Sequence, residues 1–178
     1  SRILAHRQVD GAIIFDAHIS SDLITRLAWK HFPVVTLDRY LQADNVFPLL
    51  VDNPTGVHAV FAHLYDQGAR RIAFVAGAED AFDNTERRQI FLDEAARHNL
   101  LIRCYPGNFT EPSGYQAAQT ILASGDLPEA VFCANDQMAI GFLKAMQDHN
   151  LQAPRDIAII GFDDIPVARY LQPPLSTV

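Results

Sequence analysis

The stretch VDNPTGVHAVFAHLYDQGARRIAFVAG, residues 51–77, decides the fold. Asn53 is a good helix N-cap, and Pro54 suits a first helical turn, where a missing N–H costs nothing. Val57, Val60, Phe61 and Leu64 follow at the i, i+3, i+4 and i+7 spacing of one helical face, and Gly68 closes the helix. The period then changes. RIAFVAG (71–77) is almost continuously apolar, as a strand covered on both faces must be. A helix feeding a fully buried strand is the repeating unit of a parallel sheet.

The same unit recurs outward in both directions. GAIIF (11–15), PVVTL (33–37), AVFCA (130–134) and IAIIG (157–161) are further buried-strand runs. Asp83 and Glu86, at capping-box spacing, open a helix that continues through Ile90, Phe91 and Ala95. Another helix starts at Asn135 and carries Met138, Phe142 and Met146 on one face. The alternation predicts an open, doubly wound α/β sheet. Turn residues make YPGNFTEPSG (105–114) and QADNVFP (42–48) loops, the second a place for the chain to pass between lobes. YLQPPLSTV, at the end, reads as a crossing followed by the start of a strand. Both termini are expected to be truncated, because the chain begins just before one strand and stops as another starts.

Composition narrows the function. The 178 residues are 49% apolar and 20% charged, near globular averages. Twenty-one acidic residues against 14 basic give a net charge of -7, and no basic cluster exceeds Arg70-Arg71 or Arg87-Arg88. That argues against nucleic-acid binding by this chain, since phosphate contacts need clustered Lys and Arg. No apolar run approaches a membrane helix, and no signal peptide precedes the first strand, so a cytoplasmic location is expected. Cys104 and Cys133 lie in apolar segments and read as small buried hydrophobes. His58 and His63 are five apart, off the three or four that aligns two ligands on a helix, so no metal site is expected.

Open parallel sheets bind ligands beyond the carboxyl ends of their strands. Asp16 follows GAIIF, Asp38 follows PVVTL, Asn135 follows AVFCA, and Asp163 follows IAIIG by one residue. Three carboxylates and an amide offer the acceptors and donors that a hydroxyl-rich ligand needs. Arg87, early in its helix, could add a planar fork of donors, and Phe109 an apolar surface for a ring. Each has a plainer use. Asn135 and Asp83 suit helix caps, the aspartates suit solvated turns, Arg87 a surface charge and Phe109 a satellite of the core. Their convergence at one sheet edge favours the ligand reading. No Gly-rich dinucleotide or phosphate loop, no nucleophile elbow and no activated Cys or Ser is present, so neither a cofactor nor an enzyme is expected.

The strings themselves resemble the effector-binding core of the LacI/GalR family of bacterial transcription regulators. VDGAIIF, PVVTLDR, the 51–77 stretch, TERRQIF, EPSGYQAAQTIL, FCANDQMAIGFLKAM, PRDIAIIGFDD and PPLSTV carry the likeness in the family's order over essentially the whole chain. The ANDQMAIG and IAIIGFDD elements are shared with periplasmic sugar-binding proteins; the combination with ARRIAFVAG and PPLSTV is more specific to the regulators. The resemblance implies a two-lobed, periplasmic-binding-protein-like fold with an incomplete N-terminal lobe. Residues 1–52 would be part of that lobe, 53–172 the C-terminal lobe, and 173–178 the crossing back. It also implies a sugar-sized effector between the lobes, a homodimer, and a separate N-terminal helix-turn-helix, not in this chain, that binds operator DNA.

Carried over residue by residue, Arg87 matches the effector-binding arginine, Asn135 and Asp163 the polar contacts, and Asp38 and Phe109 the pocket lining. Asp83 is a weaker match from the loop before Arg87. Two residues depart from the pattern. Ala69 replaces the usual histidine of the G-H-R-R-I turn, and Ile90 replaces the glycine usual after the effector arginine, which puts the placement of Arg87 in question. A sugar or sugar derivative is the expected effector; Asp, Arg and an aromatic also suit a nucleobase, which makes a nucleoside the second class. The competing function is a periplasmic sugar-binding protein of a transporter.

Overall fold

A computed structural model describes residues 9–15, 19–28 and 32–178. The chain divides into two compact units, one reaching Asp52 and including Ala81–Asp83, the other made of Asn53–Asp80 and Asn84–Val178.

In the first unit β1 (Ala12–Ile14), β2 (Val34–Leu37) and β3 (Val46–Leu49) form a parallel sheet in that order, with α1 (Ser21–Ala28) between β1 and β2. Ile14, Val34 and Val46 point to one face and are buried with Ile24 and Ala28 of α1. Val46–Leu49 corrects the expectation of a loop over 42–48. Pro48 suggested a turn, but β3 is an edge strand, where a residue without an N–H is tolerated.

The second unit has four parallel strands, β4 (Ile72–Val75), β5 (Arg103–Tyr105), β6 (Ala130–Cys133) and β7 (Ala158–Ile160), in the order β5-β4-β6-β7. Its helices are α2 (Asn53–Asp66), α3 (Phe82–Arg97, of which Asn84 onward belongs to this unit), α4 (Glu111–Ala123) and α5 (Asp136–Asp148). All four residues of β4 and of β6 are buried, as their unbroken apolar runs require. Phe74 of β4, Phe132 of β6 and Phe91 of α3 meet with ring centroids 5.0–5.8 Å apart, and Phe61 of α2 joins Phe91 edge-on at 5.5 Å. These stacked, tilted and edge-on pairs are favoured ring geometries and fix both helices on one sheet.

Three expectations are corrected here. β5 was not anticipated, because an edge strand with Arg103 and Cys104 exposed lacks an apolar run. For the same reason Cys104 is exposed, whereas Cys133 is buried and burial pushes its thiol well above the ordinary range. The expected loop over 105–114 ends in the first turn of α4, where Thr110 Oγ1 accepts from the Ser113 N–H and Pro112 lies just inside the helix.

α4 and α5 pack with their backbones close together. A Cβ on Gly114 would overlap the Met138 carbonyl, and one on Gly141 would overlap the Glu111 carbonyl. Both positions therefore require glycine for space. Asp136, fully buried in the first turn of α5, fastens the end of the chain. Its carboxylate accepts from the Ile165 N–H at 2.9 Å and from the Thr177 hydroxyl at 2.6 Å. Ser176 bridges Ile160 in parallel, and the Asp163 N–H donates to Val178 O, so residues 176–178 run alongside the end of β7.

Two predictions follow from this packing. Gly141→Ala is expected to cost about 1–3 kcal/mol or more, as overpacking does, read from urea denaturation; an unchanged midpoint would contradict the close approach. Burial pushes the Asp136 carboxyl above its ordinary value, with the neighbouring Asp164 charge adding to the rise. The folded chain therefore holds this proton more tightly than the unfolded chain. The contribution of Asp136 to stability is complete below about pH 4 and declines as pH rises through the folded value. Asp136→Asn should flatten that decline, while Asp136→Ala should lose about 1–3 kcal/mol through unsatisfied donors. Identical pH profiles for the parent and Asp136→Asn would sink the assignment.

Candidate functional site

The order β5-β4-β6-β7 reverses direction between β4 and β6: the chain leaves β4 toward β5 and returns to the other side for β6. Loops leaving the carboxyl ends of β4 and β6 diverge there and leave a crevice. The residues at this switch point are Ala76-Gly77 after β4 and Ala134-Asn135 after β6, with Phe162-Asp163 following β7.

α3 supplies the central group. Its buried residues Asn84, Arg87, Phe91 and Ala95 form one stripe at spacings of three and four. The apolar half of the stripe enters the core, and the polar half reaches the crevice. Arg87 is almost wholly buried. Its Nε donates to Asn53 Oδ1 at 2.7 Å and its Nη1 to the Ala134 carbonyl at 2.6 Å. The same nitrogen lies 3.4 Å from Asp163 Oδ1, and the guanidinium stacks 3.8 Å over the Phe162 ring. Ile90, where the family pattern has glycine, is partly buried against the core beside Phe91, and Arg87 still reaches Asn53, Ala134 and Asp163. Arg87 is 5% exposed and Asp163 39%, so the pair presents a solvent-facing carboxylate backed by a buried cation.

A second pair adjoins the first. Asn135 is the N-cap of α5, its Oδ1 accepting from the Met138 N–H at 3.0 Å, and its Nδ2 donates to the Phe109 carbonyl at 3.1 Å. The capping use of Asn135 is thus real, and the same amide fixes the Phe109 loop. Phe109 holds φ at 67°, a left-handed conformation costly for a bulky residue. Its ring lies flat on Gly77, where a Cβ would collide with it. Asn84 Oδ1 accepts from the Gly77 N–H at 2.7 Å and holds that surface in place.

Of the residues singled out from the sequence, Arg87, Asp163, Asn135 and Phe109 come together in the second unit. Asp83 lies in the first turn of α3, one turn before Arg87, and α3 begins one residue earlier than the capping-box reading placed it. Asp38 follows β2 in the first unit with φ at 51°, its N–H donating to the Leu49 carbonyl. Asp16 lies outside the described residues. Sequence reasoning missed three groups. Asn53 looked like a cap, yet α2 already begins there and its side chain joins Arg87 and Glu86, the latter at 2.8 Å. Asn84 carried no signal beyond its place on the stripe. Asp136 was hidden beside Asn135.

The arrangement offers a carboxylate, a buried guanidinium and an aromatic ring, a set suited to holding a polar ring by directed hydrogen bonds with one apolar face covered. Among the described residues no group of three or more His, Cys, Asp and Glu is placed to hold a metal ion, and no helix is long and apolar enough to cross a membrane.

Comparison with known proteins gives this geometry a relationship. Residues 61–178 match the family described as periplasmic binding protein-like domain. The chain is 32% identical over 95% of its length to the Bacillus subtilis protein named "Probable HTH-type transcriptional repressor ExuR", covering 52% of that protein. It superposes with a TM-score of 0.88 and 36% identity on a sugar-binding transcriptional regulator of the LacI family from Enterococcus faecalis, over 96% of this chain and 65% of that one. A LacI family regulator from Enterococcus faecium with bound ribose gives 0.86 and 27%, over 98% and 66%. The chain spans about half the length of the curated relatives it matches. The chain belongs to the periplasmic binding protein-like domain family, and regulators of the LacI family are among the proteins it resembles.

Proposed function

We propose that this chain is the sensing part of a bacterial transcription regulator and binds a small sugar or sugar derivative. The observation that carries the reading is the Arg87–Asp163 pair at the switch point of the second sheet. An Asp carboxylate accepts from two ligand hydroxyls at once, and the guanidinium behind it holds it in place. Phe109 covers the apolar face of the sugar ring, and Asn135 steadies that loop. The family resemblance adds Asp38, Asp83 and Asp16 as further expected effector contacts. The chemistry is binding without turnover.

Relatives named as repressors support regulation over transport. In this reading the protein acts in the cytoplasm as a homodimer and reaches operator DNA through a separate N-terminal module, which accords with the net charge of -7 here. The effector favours one of two arrangements of the dimer, and a differential affinity worth about 1–3 kcal/mol per site is enough to shift operator occupancy.

A thermal-shift screen of the intact protein against sugars, sugar phosphates and nucleosides tests the reading, because a ligand that binds the folded state raises its melting temperature. A saturable shift with a sugar is expected. Asp163→Ala should weaken it about 10- to 100-fold, and Arg87→Leu should abolish it. A shift with nucleosides alone would move the effector to that class. Normal sugar binding by both variants would show that the site lies elsewhere.

A further inference from the structure

The opposite end of the second sheet carries a cavity that the effector reading does not use. It opens at the amino ends of β4 and β5, has a volume of about 500 Å³, and falls in the range of small-molecule sites. Its walls are largely apolar: Leu100 and Leu127 are partly buried against the core, and Leu101 is 94% exposed at the rim. A leucine so open to water, beside two more at a cavity mouth, costs free energy that a bound apolar body would recover.

The polar groups there converge on one point. Arg71 Nη1 lies 3.7 Å from Asp126 Oδ1, and Arg103 Nη2 lies 2.6 Å from Asp126 Oδ2. Arg71 also places its Nε 3.3 Å from Glu129 Oε1. Arg70 is turned away, its guanidinium 3.8 Å over the Tyr65 ring and donating to the Tyr65 and Ala69 carbonyls. Arg71 and Arg103 meet the two carboxylates, and Arg70, which also lines the cavity, leaves one positive charge over in a chain whose net charge is -7. The Arg71 and Arg103 side chains are 62% and 61% exposed, and each guanidinium carries five N–H donors, more than Asp126 and Glu129 take up.

We propose that this cavity is a second ligand site, for a small organic monoanion with one carboxylate on an apolar body. The carboxylate accepts from the Arg71 and Arg103 forks, and the body lies along the leucines. The surplus of a single charge matches a monoanion rather than a phosphate dianion, and the apolar walls offer a sugar little to bond with. The site is independent of the effector site, which lies at the other end of the strands.

The test uses the intact protein, with phenylbutyrate as the probe and its uncharged amide as the control, followed by calorimetry and saturation-transfer NMR. Saturable binding of phenylbutyrate with a Kd of about 1 mM or tighter is expected, and about tenfold weaker binding of the amide. Arg71→Gln with Arg103→Gln should weaken phenylbutyrate binding at least about tenfold while leaving the sugar response unchanged. Leu101→Asp, at an exposed position, should do the same without disturbing the fold, and Asp163→Ala should leave phenylbutyrate binding as it was. No saturation by about 10 mM overturns the proposal, as do equal binding of the amide, unchanged binding by the double variant, or loss of binding in Asp163→Ala.

Discussion

A guanidinium taken out of water has to be surrounded by acceptors, and Arg87 imposes that requirement on the whole second unit. Its partners come from the start of α2, the end of β6 and the loop after β7. Those elements lie far apart in the chain and meet only if the strand order is β5-β4-β6-β7. Losing one partner would leave a buried charge short of an acceptor, so the site is braced by the same bonds that a ligand would exploit. The Phe162 ring adds a surface for the cation without competing for its donors.

The polar groups around Arg87 divide into those that hold and those that face outward. Asn53, Asn84 and Asp136 are buried and spend their oxygens on Arg87 Nε, the Gly77 N–H, and the Ile165 and Thr177 donors. Asp163 alone of this group is exposed. Such an arrangement suits recognition: a rigid frame loses little conformational freedom when a ligand arrives.

How much of this could be read beforehand depended on whether the deciding contact was local. β4 and β6 were legible because strands buried on both faces need unbroken apolar runs. β3 and β5 were not, because edge strands tolerate Pro48 and Arg103. Asp163 and Asn135 were legible from their places after strands. Asn53 and Asn84 were not, because an asparagine near a helix start reads as a cap whatever it does. Their partners, Arg87 and Gly77, are 34 and 7 residues away, and only the folded chain chooses among such possibilities. The exposure of Cys104 went unread for the same reason: its neighbours are apolar, but β5 stands at the edge of its sheet.

Asp38, Phe109 and Asp163 share one feature, a left-handed backbone at φ 51°, 67° and 107°. For non-glycine residues such conformations cost on the order of 1–3 kcal/mol each. A laboratory selecting for heat resistance would be drawn to these positions, since glycine relaxes the backbone at each. Every such gain would delete a carboxylate or a ring proposed to meet the effector. On the proposed function, thermal robustness and sensing are set against each other in this domain, and the sensible targets for stabilisation lie elsewhere on the surface.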